Sequence, residues 1–287
     1  MEKFQIFIQL TRLNKPIGFL LLFWPCAWGL SLGYYFNNQL DLFLKYIILF
    51  FLGSVLMRSA GCIFNDIVDR DLDKKVKRTK KRPIAAGKIS ITVSFIYIIL
   101  LCLLALLVLL QFNLLTIILG LGSMFLAFSY PFMKRITYWP QLFLGLTFNW
   151  GIIMGCTSII GDFSTESIIL YMAAIFWTLG YDTIYGLQDI YDDQIIGVKS
   201  TSIKFKNNIK IFVGSCYSLC VFLILIMFLI MDINKYLLIL MIPFISTFIY
   251  QLKISKISNA ESCLVAFKNN NLTGLLILIF ILSFNIL

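Results

Sequence analysis

Nine apolar runs, each long enough to cross a bilayer, constrain this chain more than any other feature. A transmembrane helix needs about 20 mainly apolar residues. Hydrophobic residues make up 60% of the chain and charged residues 13%, whereas soluble domains are roughly a quarter charged. The sequence therefore predicts an all-α membrane protein, a bundle of nine transmembrane helices at residues 17–36, 42–63, 91–111, 113–131, 141–161, 166–187, 210–231, 235–251 and 270–287.

Lysine and arginine are concentrated in alternate connecting segments. With a cytoplasmic N-terminus, the inside segments hold nearly all of the 24 basic residues. These segments are 1–16, 64–90, 132–140, 188–209 and 252–269. The positive-inside rule thus predicts a multi-pass protein of the bacterial inner membrane with its N-terminus in the cytoplasm. Attraction to anionic lipid accounts for the net charge of +10, so a nucleic-acid partner is not expected. No obligatory protein partner is indicated.

Residue composition also limits the chemistry. The chain contains no histidine, which excludes histidine acid–base catalysis and histidine-ligated metals. The seven cysteines form no C-x-x-C pair, and those inside apolar runs are interpreted as packing residues.

Eight of the fourteen acidic residues form two clusters that membrane topology does not require. They are Asp66, Asp69, Asp71 and Asp73 after the second apolar run, and Asp182, Asp189, Asp192 and Asp193 after the sixth. The string NDIVD in the first cluster matches QDIYD in the second. Repeated halves are common in membrane proteins. We therefore expect one domain, 1–287, made of two similar four-helix halves at about 17–131 and 141–251, with a last helix at 270–287.

Helical phase separates the acids of each cluster, if each cluster continues its span as a helix. Asp66, Asp69 and Asp73 then lie within about 60° of one another, while Asp71 points away and is expected to pair with Lys75. In the second cluster, one face carries Asp182, Tyr185, Asp189 and Asp193.

Carboxylates this close repel one another unless a positive charge neutralises them. Intrahelical salt bridges to nearby lysines are one possibility. The other is a divalent cation, and carboxylates without Cys or His favour Mg²⁺ or Ca²⁺. An EF-hand is excluded, because Lys74 replaces its glycine and Lys80 its glutamate.

Basic residues in the inside segments suggest what accompanies the metal. Mg²⁺ usually binds one or two carboxylates together with substrate phosphates, and Arg and Lys bind the remaining phosphate oxygens. The pattern predicts a lipid diphosphate, with candidate ligands at Lys77, Arg78, Arg82, Lys134, Arg135 and Lys199. Cleavage of its C–O bond leaves an allylic cation, which needs a dry pocket and an aromatic face. Tyr185, on the acidic face, is the best candidate for that face.

Two ionisable residues lie about two turns deeper in the membrane than the clusters. They are Arg58 and Asp182, at a depth where a charge is costly and usually functional. They are either a structural ion pair, or Arg58 binds an anionic acceptor while Asp182 orients it or accepts a proton.

The sequence resembles the UbiA superfamily of intramembrane prenyltransferases, and within it most closely the members that prenylate 4-hydroxybenzoate. The similarity covers nearly the whole chain, and its strings are RLNKPIGFLLLFWP, MRSAGCIFNDIVDRDLD, VKRTKKRPIAAGKIS, SYPFMKR, DTIYGLQDIYDDQIIGVKSTSIKF and CLVAFKNNNLTGL. The combination of N-D-x-x-D-x-x-x-D with D-x-x-Y-x-x-Q-D-x-x-x-D is specific, and none of its acidic positions is changed.

The resemblance implies a nine-helix fold with cytoplasmic caps, Mg²⁺ on both aspartate motifs, and a portal for the isoprenoid tail. It implies transfer of a polyprenyl group from polyprenyl diphosphate to 4-hydroxybenzoate, ortho to the hydroxyl, in ubiquinone biosynthesis. By position, the metal–diphosphate residues would be Asn65, Asp66, Asp69, Asp73, Asp189 and Asp193, and Arg58 would bind the aromatic carboxylate.

Three alternatives remain at this point. One is the same chemistry on homogentisate, a naphthoate or haem. Another is a cation transporter with paired acidic repeats, although the clusters lie at the membrane edge and not at its midplane. A phosphatidyltransferase is disfavoured because its D-G-x-x-A-R signature is missing.

Overall fold

The chain forms a bundle of α-helices in the computed structural model, which describes residues 2–285. In chain order the helices are α1 (Glu2–Thr11), α2 (Ile17–Asn37), α3 (Leu40–Val68), α4 (Arg70–Asp73), α5 (Ile91–Leu109), α6 (Leu114–Ser129), α7 (Met133–Ile136), α8 (Pro140–Asn149), α9 (Gly151–Ile160), α10 (Thr165–Gly186), α11 (Ile190–Ile196), α12 (Thr201–Lys204), α13 (Ile209–Ile230), α14 (Met241–Ile254) and α15 (Ala260–Leu282). Within residues 2–285, nine helical segments are long and apolar enough to cross a membrane. The predicted all-α fold and number of spans are confirmed, and the chain is a multi-pass membrane protein.

Two predicted spans differ from the observed helices. The fifth, 141–161, is divided at Trp150 into α8 and α9. The last, predicted at 270–287, begins much earlier, at Ala260, because the Asn259 side chain caps it by accepting a hydrogen bond from the Ser262 amide at 3.0 Å. The polar residues in the first turns of α15 lower the hydropathy there, so hydropathy alone placed the start of the helix too late. The predicted end of this span, 286–287, lies outside the described residues.

Helices α2 and α9 approach one another closely through glycines. A Cβ on Gly155 would lie 2.5 Å from the Cys26 carbonyl oxygen, and one on Gly33 would lie 2.9 Å from that of Cys156. In a membrane, where lipid is as apolar as a leucine side chain, close backbone approach at small residues is a main source of helix association. This contact fixes α2 against the second half of the chain.

A buried polar network fixes α10, the helix that carries the second aspartate motif. Trp177 donates from Nε1 to Oδ1 of Asn270 at 2.8 Å, and Asn270 donates from Nδ2 to Oε1 of Gln251 at 3.2 Å. The hydroxyl of Tyr217 donates to the same Gln251 oxygen at 2.5 Å. Because buried polar groups need partners, this network sets the register of α10 against α13, α14 and α15.

Both motif-bearing helices are interrupted within their motifs. The helix α3 ends at Val68, Asp69 adopts φ −94° and ψ 3°, and α4 begins at Arg70. The helix α10 ends at Gly186 and is followed by a 3₁₀ turn, Leu187–Asp189, before α11. The expectation of a continuous helix through each cluster is therefore wrong, and glycine, a poor helix former, lies just before the second interruption.

Candidate active site

Three of the first four aspartates are buried together where α3 passes into α4. Asp66 and Asp69 are each 1% exposed and Asp73 is 6% exposed. The Asp71 side chain is 86% exposed and forms an ion pair with Lys74 at 2.9 Å. Helical phase thus separated Asp71 correctly from the other three, although its partner is Lys74 at i+3 and not Lys75.

Two arginines from distant segments contact the first cluster. Arg12, just after α1, forms an ion pair with Oδ1 of Asp66. Arg82 donates from Nη1 to Asp66 at 3.1 Å and to Oδ2 of Asp73 at 2.8 Å. Burial raises the pKa of Asp73, the charge of Arg82 opposes the rise, and the neighbouring carboxylates add to it. The three acids therefore interact electrostatically.

The third carboxylate, Asp69, is bound from the segment that follows α6. Lys134 forms an ion pair with its Oδ2, and Nη2 of Arg135 lies 3.9 Å from its Oδ1. Arg135 also donates to the Val68 carbonyl at 2.5 Å. The SYPFMKR segment is thus held against the end of α3.

The donor set of the first cluster fits a hard divalent cation. Oδ2 of Asp66 and Oδ1 of Asp69 are buried and have no hydrogen-bond partner within the described residues. Across residues 2–285 no three acidic, cysteine or histidine side chains are arranged to hold a metal ion. Basic side chains pair with several of the carboxylate oxygens instead. Carboxylate oxygens of this kind suit Mg²⁺, provided that an anion arriving with the metal binds the basic side chains.

The second cluster lies against the segment that follows the first. Arg78 forms an ion pair with Asp189 and donates from Nη1 to the Tyr185 hydroxyl at 3.0 Å. Its guanidinium carbon lies 5.3 Å from the centre of the Tyr185 ring. The Lys77 amide donates to Oδ2 of Asp192 at 3.0 Å. Residues 77–78 therefore join the two acidic motifs into one site.

Asp193 follows Asp189 by four residues at the same junction. Its carboxylate forms no ion pair or hydrogen bond with the described residues, whereas its backbone carbonyl accepts hydrogen bonds from the amides of Gly197 and Val198 at 3.0 Å. Asn65 is half-buried beside Asp66, and its side chain also makes no hydrogen bond within the described part of the chain.

Lys199, a predicted diphosphate ligand, is not brought to the aspartates. Its Nζ donates to the Ile136 carbonyl at 3.1 Å and lies 5.8 Å from the centre of the Tyr138 ring. Its amide donates to the Lys134 carbonyl at 2.9 Å. In this arrangement Lys199 holds the backbone next to a site residue.

Arg58 lies deeper than the clusters and forms no ion pair within the described residues, with Asp182 or with any other acid. Its Nε is buried without a hydrogen bond within residues 2–285, and its guanidinium carbon lies 5.3 Å from the centre of the Phe148 ring. Gly18 leaves room for it, since a Cβ there would lie 2.9 Å from Nε.

An apolar cavity of about 540 Å³ extends from Arg58 and Tyr130 to Phe112, in the connection between α5 and α6. Three of its lining side chains are also half exposed on the outside of the bundle: Ile99, Leu103 and Leu121. The cavity therefore opens sideways between α5 and α6. Its shape and lining suit a long hydrocarbon chain with a polar end near Arg58.

Sequence reasoning did not assign roles to two residues that the structure places at the site, Arg12 and Gly18. Both belong to the string RLNKPIG, which leads into the start of the first span at Ile17, so the motif did mark this segment. Nothing in the spacing connects Arg12 to Asp66, because that contact depends on how α1 folds back onto α3. Arg12 adopts a positive φ of 57°, which turns the chain there.

The fold and the site together define a polytopic membrane protein with two facing aspartate motifs and an apolar cavity whose lining includes Arg58, about two turns before Asp66 on α3. Residues 22–281 match the model of the UbiA prenyltransferase family, and the chain belongs to this family.

The sequence is similar to curated relatives from eukaryotes and bacteria. It is 49% identical over 207 residues to the mitochondrial 4-hydroxybenzoate polyprenyltransferase of Homo sapiens, covering 72% of this chain and 55% of that one. It is 37% identical to the 4-hydroxybenzoate octaprenyltransferase of Pseudomonas fluorescens (strain SBW25), covering 96% and 92%. The match spans about half the length of the mitochondrial relatives.

Solved structures share the fold. A UbiA homolog from Aeropyrum pernix K1 in its apo form superposes with a TM-score of 0.73 at 23% identity, covering 93% of this chain and 96% of that one. A UbiA homolog from Archaeoglobus fulgidus bound to DMAPP and Mg²⁺ has a TM-score of 0.72 at 19% identity, covering 97% and 98%.

Proposed function

We propose that this chain transfers a polyprenyl group from polyprenyl diphosphate to the ring of 4-hydroxybenzoate, ortho to the hydroxyl, with release of diphosphate, in ubiquinone biosynthesis. The observation that carries the proposal is the pair of unpartnered, buried carboxylate oxygens on Asp66 and Asp69, surrounded by basic side chains. Relatives named for 4-hydroxybenzoate support the acceptor, and the homolog bound to DMAPP and Mg²⁺ supports the donor and metal.

The metal would be held by Asp66, Asp69 and Asp73 on one side and by Asp189 and Asp193 on the other. Mg²⁺, when bound, neutralises the diphosphate and so makes it a better leaving group. The phosphate oxygens would be bound by the basic side chains that are now paired with carboxylates, namely Arg12, Arg78, Arg82 and Lys134. Asn65 would be a further donor. Charge-assisted hydrogen bonds of this kind are about twice as strong as neutral ones.

The apolar cavity would exclude water from the bond that breaks. When the C–O bond of the allylic diphosphate breaks, the electron pair leaves with diphosphate and the prenyl carbon becomes cationic. The Tyr185 ring would face this carbon, because Arg78, which now lies over the ring, moves to the phosphates. A cation held over an aromatic face is stabilised by about 0.5–2 kcal/mol. The isoprenoid tail would extend through the cavity and out between α5 and α6, past Leu103.

The acceptor would bind at the end of the cavity lined by Arg58 and Tyr130, with its carboxylate at Arg58. The unpartnered Nε of Arg58 supports a carboxylate ligand there. A new C–C bond forms at the ring carbon next to the hydroxyl, and that carbon then loses its proton. Asp182 is half-buried and has no partner among the described residues, so it is available to orient the acceptor or accept this proton.

The membrane orientation belongs to the same proposal. The aspartate motifs and the basic segments lie on the same side of the bundle, so the active site would face the cytoplasm of a bacterial cell, with the N-terminus on that side. The two halves, about 17–131 and 141–251, would each supply one motif from their second helix, α3 and α10.

A cation transporter is less well supported. Its acids would line a path at the midplane, whereas the clustered carboxylates here lie at helix ends among basic residues. Homogentisate, a naphthoate and haem also carry carboxylates that Arg58 could bind, so the preference for 4-hydroxybenzoate rests on the relatives that are named for it.

The test uses membranes that contain the protein, polyprenyl diphosphate, 4-hydroxybenzoate and Mg²⁺, with prenylated product measured by chromatography. We expect product with Mg²⁺ and none with EDTA, with recovery when Mg²⁺ is added back. Metal-independent product, or product from homogentisate at a higher rate than from 4-hydroxybenzoate, would contradict the proposal.

A further inference from the structure

A second cavity, of about 570 Å³, lies outside the active site, between the start of α13 and the end of α14. Both helices are membrane spans, so this cavity is at the edge of the membrane on the side of the aspartate motifs. Its lining combines the apolar side chains of Ile209, Ile211 and Ile257 with polar and basic residues, which include Tyr191, Lys206, Asn208, Lys210, Lys256 and Ser258. We call it the lysine groove.

Three lysines from two separate segments point to an anionic ligand. Lys206 donates to Oε1 of Gln194 at 3.2 Å and lies 5.2 Å from the centre of the Tyr191 ring. Lys210 and Lys256 are exposed, and their amines form no ion pair within residues 2–285. No acidic side chain lines the groove. The groove therefore carries three positive charges with no neutralising acid of its own.

The position of the groove favours a lipid over a soluble anion. Ile211, in the first turn of α13, is 71% exposed, and Phe222, three turns further on the same face, is 56% exposed. An acyl chain can lie along this face while its phosphate sits among the lysines. Polybasic sites next to membrane spans bind anionic headgroups in this way.

We propose that the lysine groove binds the headgroup phosphate of an anionic phospholipid. The lipid would also contact α11, because Tyr191 lines the groove and Gln194 borders it, while Asp192 on another face of α11 accepts a hydrogen bond from the Lys77 amide. This inference does not depend on prenyl transfer.

The test is native mass spectrometry of the full chain with phosphatidylglycerol or phosphatidylcholine added. Wild type should retain phosphatidylglycerol in preference. K210Q/K256Q should bind it more weakly, by about 5-fold for each lysine removed, and the charge-conserving K210R/K256R should restore binding. The matched control is K3Q/K88Q, which removes two exposed lysines of inside segments, one on α1, which packs on α3, and one just before α5, and should bind normally.

Several results would overturn the proposal. One is an equal loss of phosphatidylglycerol binding in the two glutamine double variants. Another is equal retention of phosphatidylglycerol and phosphatidylcholine by the wild type. The third is binding of inorganic phosphate that depends on Lys210 and Lys256 while neither lipid is retained. Thermal unfolding should be the same for both pairs, since neither substituted lysine has a partner in the groove. The measurement needs no turnover, so its failure is distinguishable from failure of the proposed activity.

Discussion

Replacement of Arg58 by alanine should weaken acceptor binding without unfolding the protein. Its Nε is buried with no partner in the described structure, so its removal leaves no carboxylate of the chain unpaired. The chain loses the contact of the guanidinium with the Phe148 ring, at 5.3 Å, which is worth about 0.5–2 kcal/mol. A hydrogen bond from arginine to a substrate carboxylate is worth about 1.5–3 kcal/mol, so KM for 4-hydroxybenzoate should rise by about 10- to 150-fold.

The assay is initial rate against 4-hydroxybenzoate concentration at saturating polyprenyl diphosphate and Mg²⁺. Gly18→Ala should shift the same KM, because its Cβ would lie 2.9 Å from Arg58 Nε and displace the guanidinium. The contrasting variant is Arg82→Ala, which should raise KM for the diphosphate instead. The neutral analogue 4-hydroxybenzamide should react equally with wild type and Arg58→Ala. An unchanged KM for the acid, or an equal change for both substrates, would refute the assignment.

Three further predictions concern the metal site, the link between the motifs, and the fold. Asp69→Asn should reduce kcat by about 100-fold or more, as for loss of a preorganised electrostatic group. Asp71→Asn, at an exposed position, should keep the wild-type rate, and similar rates for the two variants would exclude Asp69 from the metal site. Arg78→Ala should raise KM for polyprenyl diphosphate, and Arg78→Lys should recover only part of it because lysine cannot form the bidentate contact; full recovery would count against that contact. Gly155→Ala should lower the free energy of unfolding by about 1–3 kcal/mol through overpacking, while Gly122→Ala, with no atom within 4 Å of its Cβ, should not; equal thermal unfolding temperatures would contradict close packing of α2 on α9.

Much of the site could be predicted because its signals are local. The burial of Asp66, Asp69 and Asp73 together with the exposure of Asp71 follows from helical phase at 100° per residue. The helical phase predicts the correct faces even across the interruption at Asp69, because helical backbone hydrogen bonds continue through it. The Asp69 amide donates to the Asn65 carbonyl, and the Asp73 amide donates to the Asp69 carbonyl.

Partners across long sequence separations could not be predicted. Charge and position gave both Arg78 and Lys199 as candidate diphosphate ligands, yet Arg78 binds Asp189 while Lys199 donates to the Ile136 carbonyl. The difference arises from how residues 74–82 fold across the end of α10, which no local pattern records. Arg12 was missed for the same reason.

The amino-acid sequence by itself determined the nine spans, the family and the two acidic motifs, because hydropathy and helical period are properties of neighbouring residues. Only the tertiary structure decided which basic side chain pairs with which carboxylate. It also decided that Arg58 has no acidic partner among residues 2–285 and that the cavity opens between α5 and α6. These depend on helix packing, and in lipid that packing is set by close contacts such as Gly155 against Cys26, not by the hydrophobic pattern.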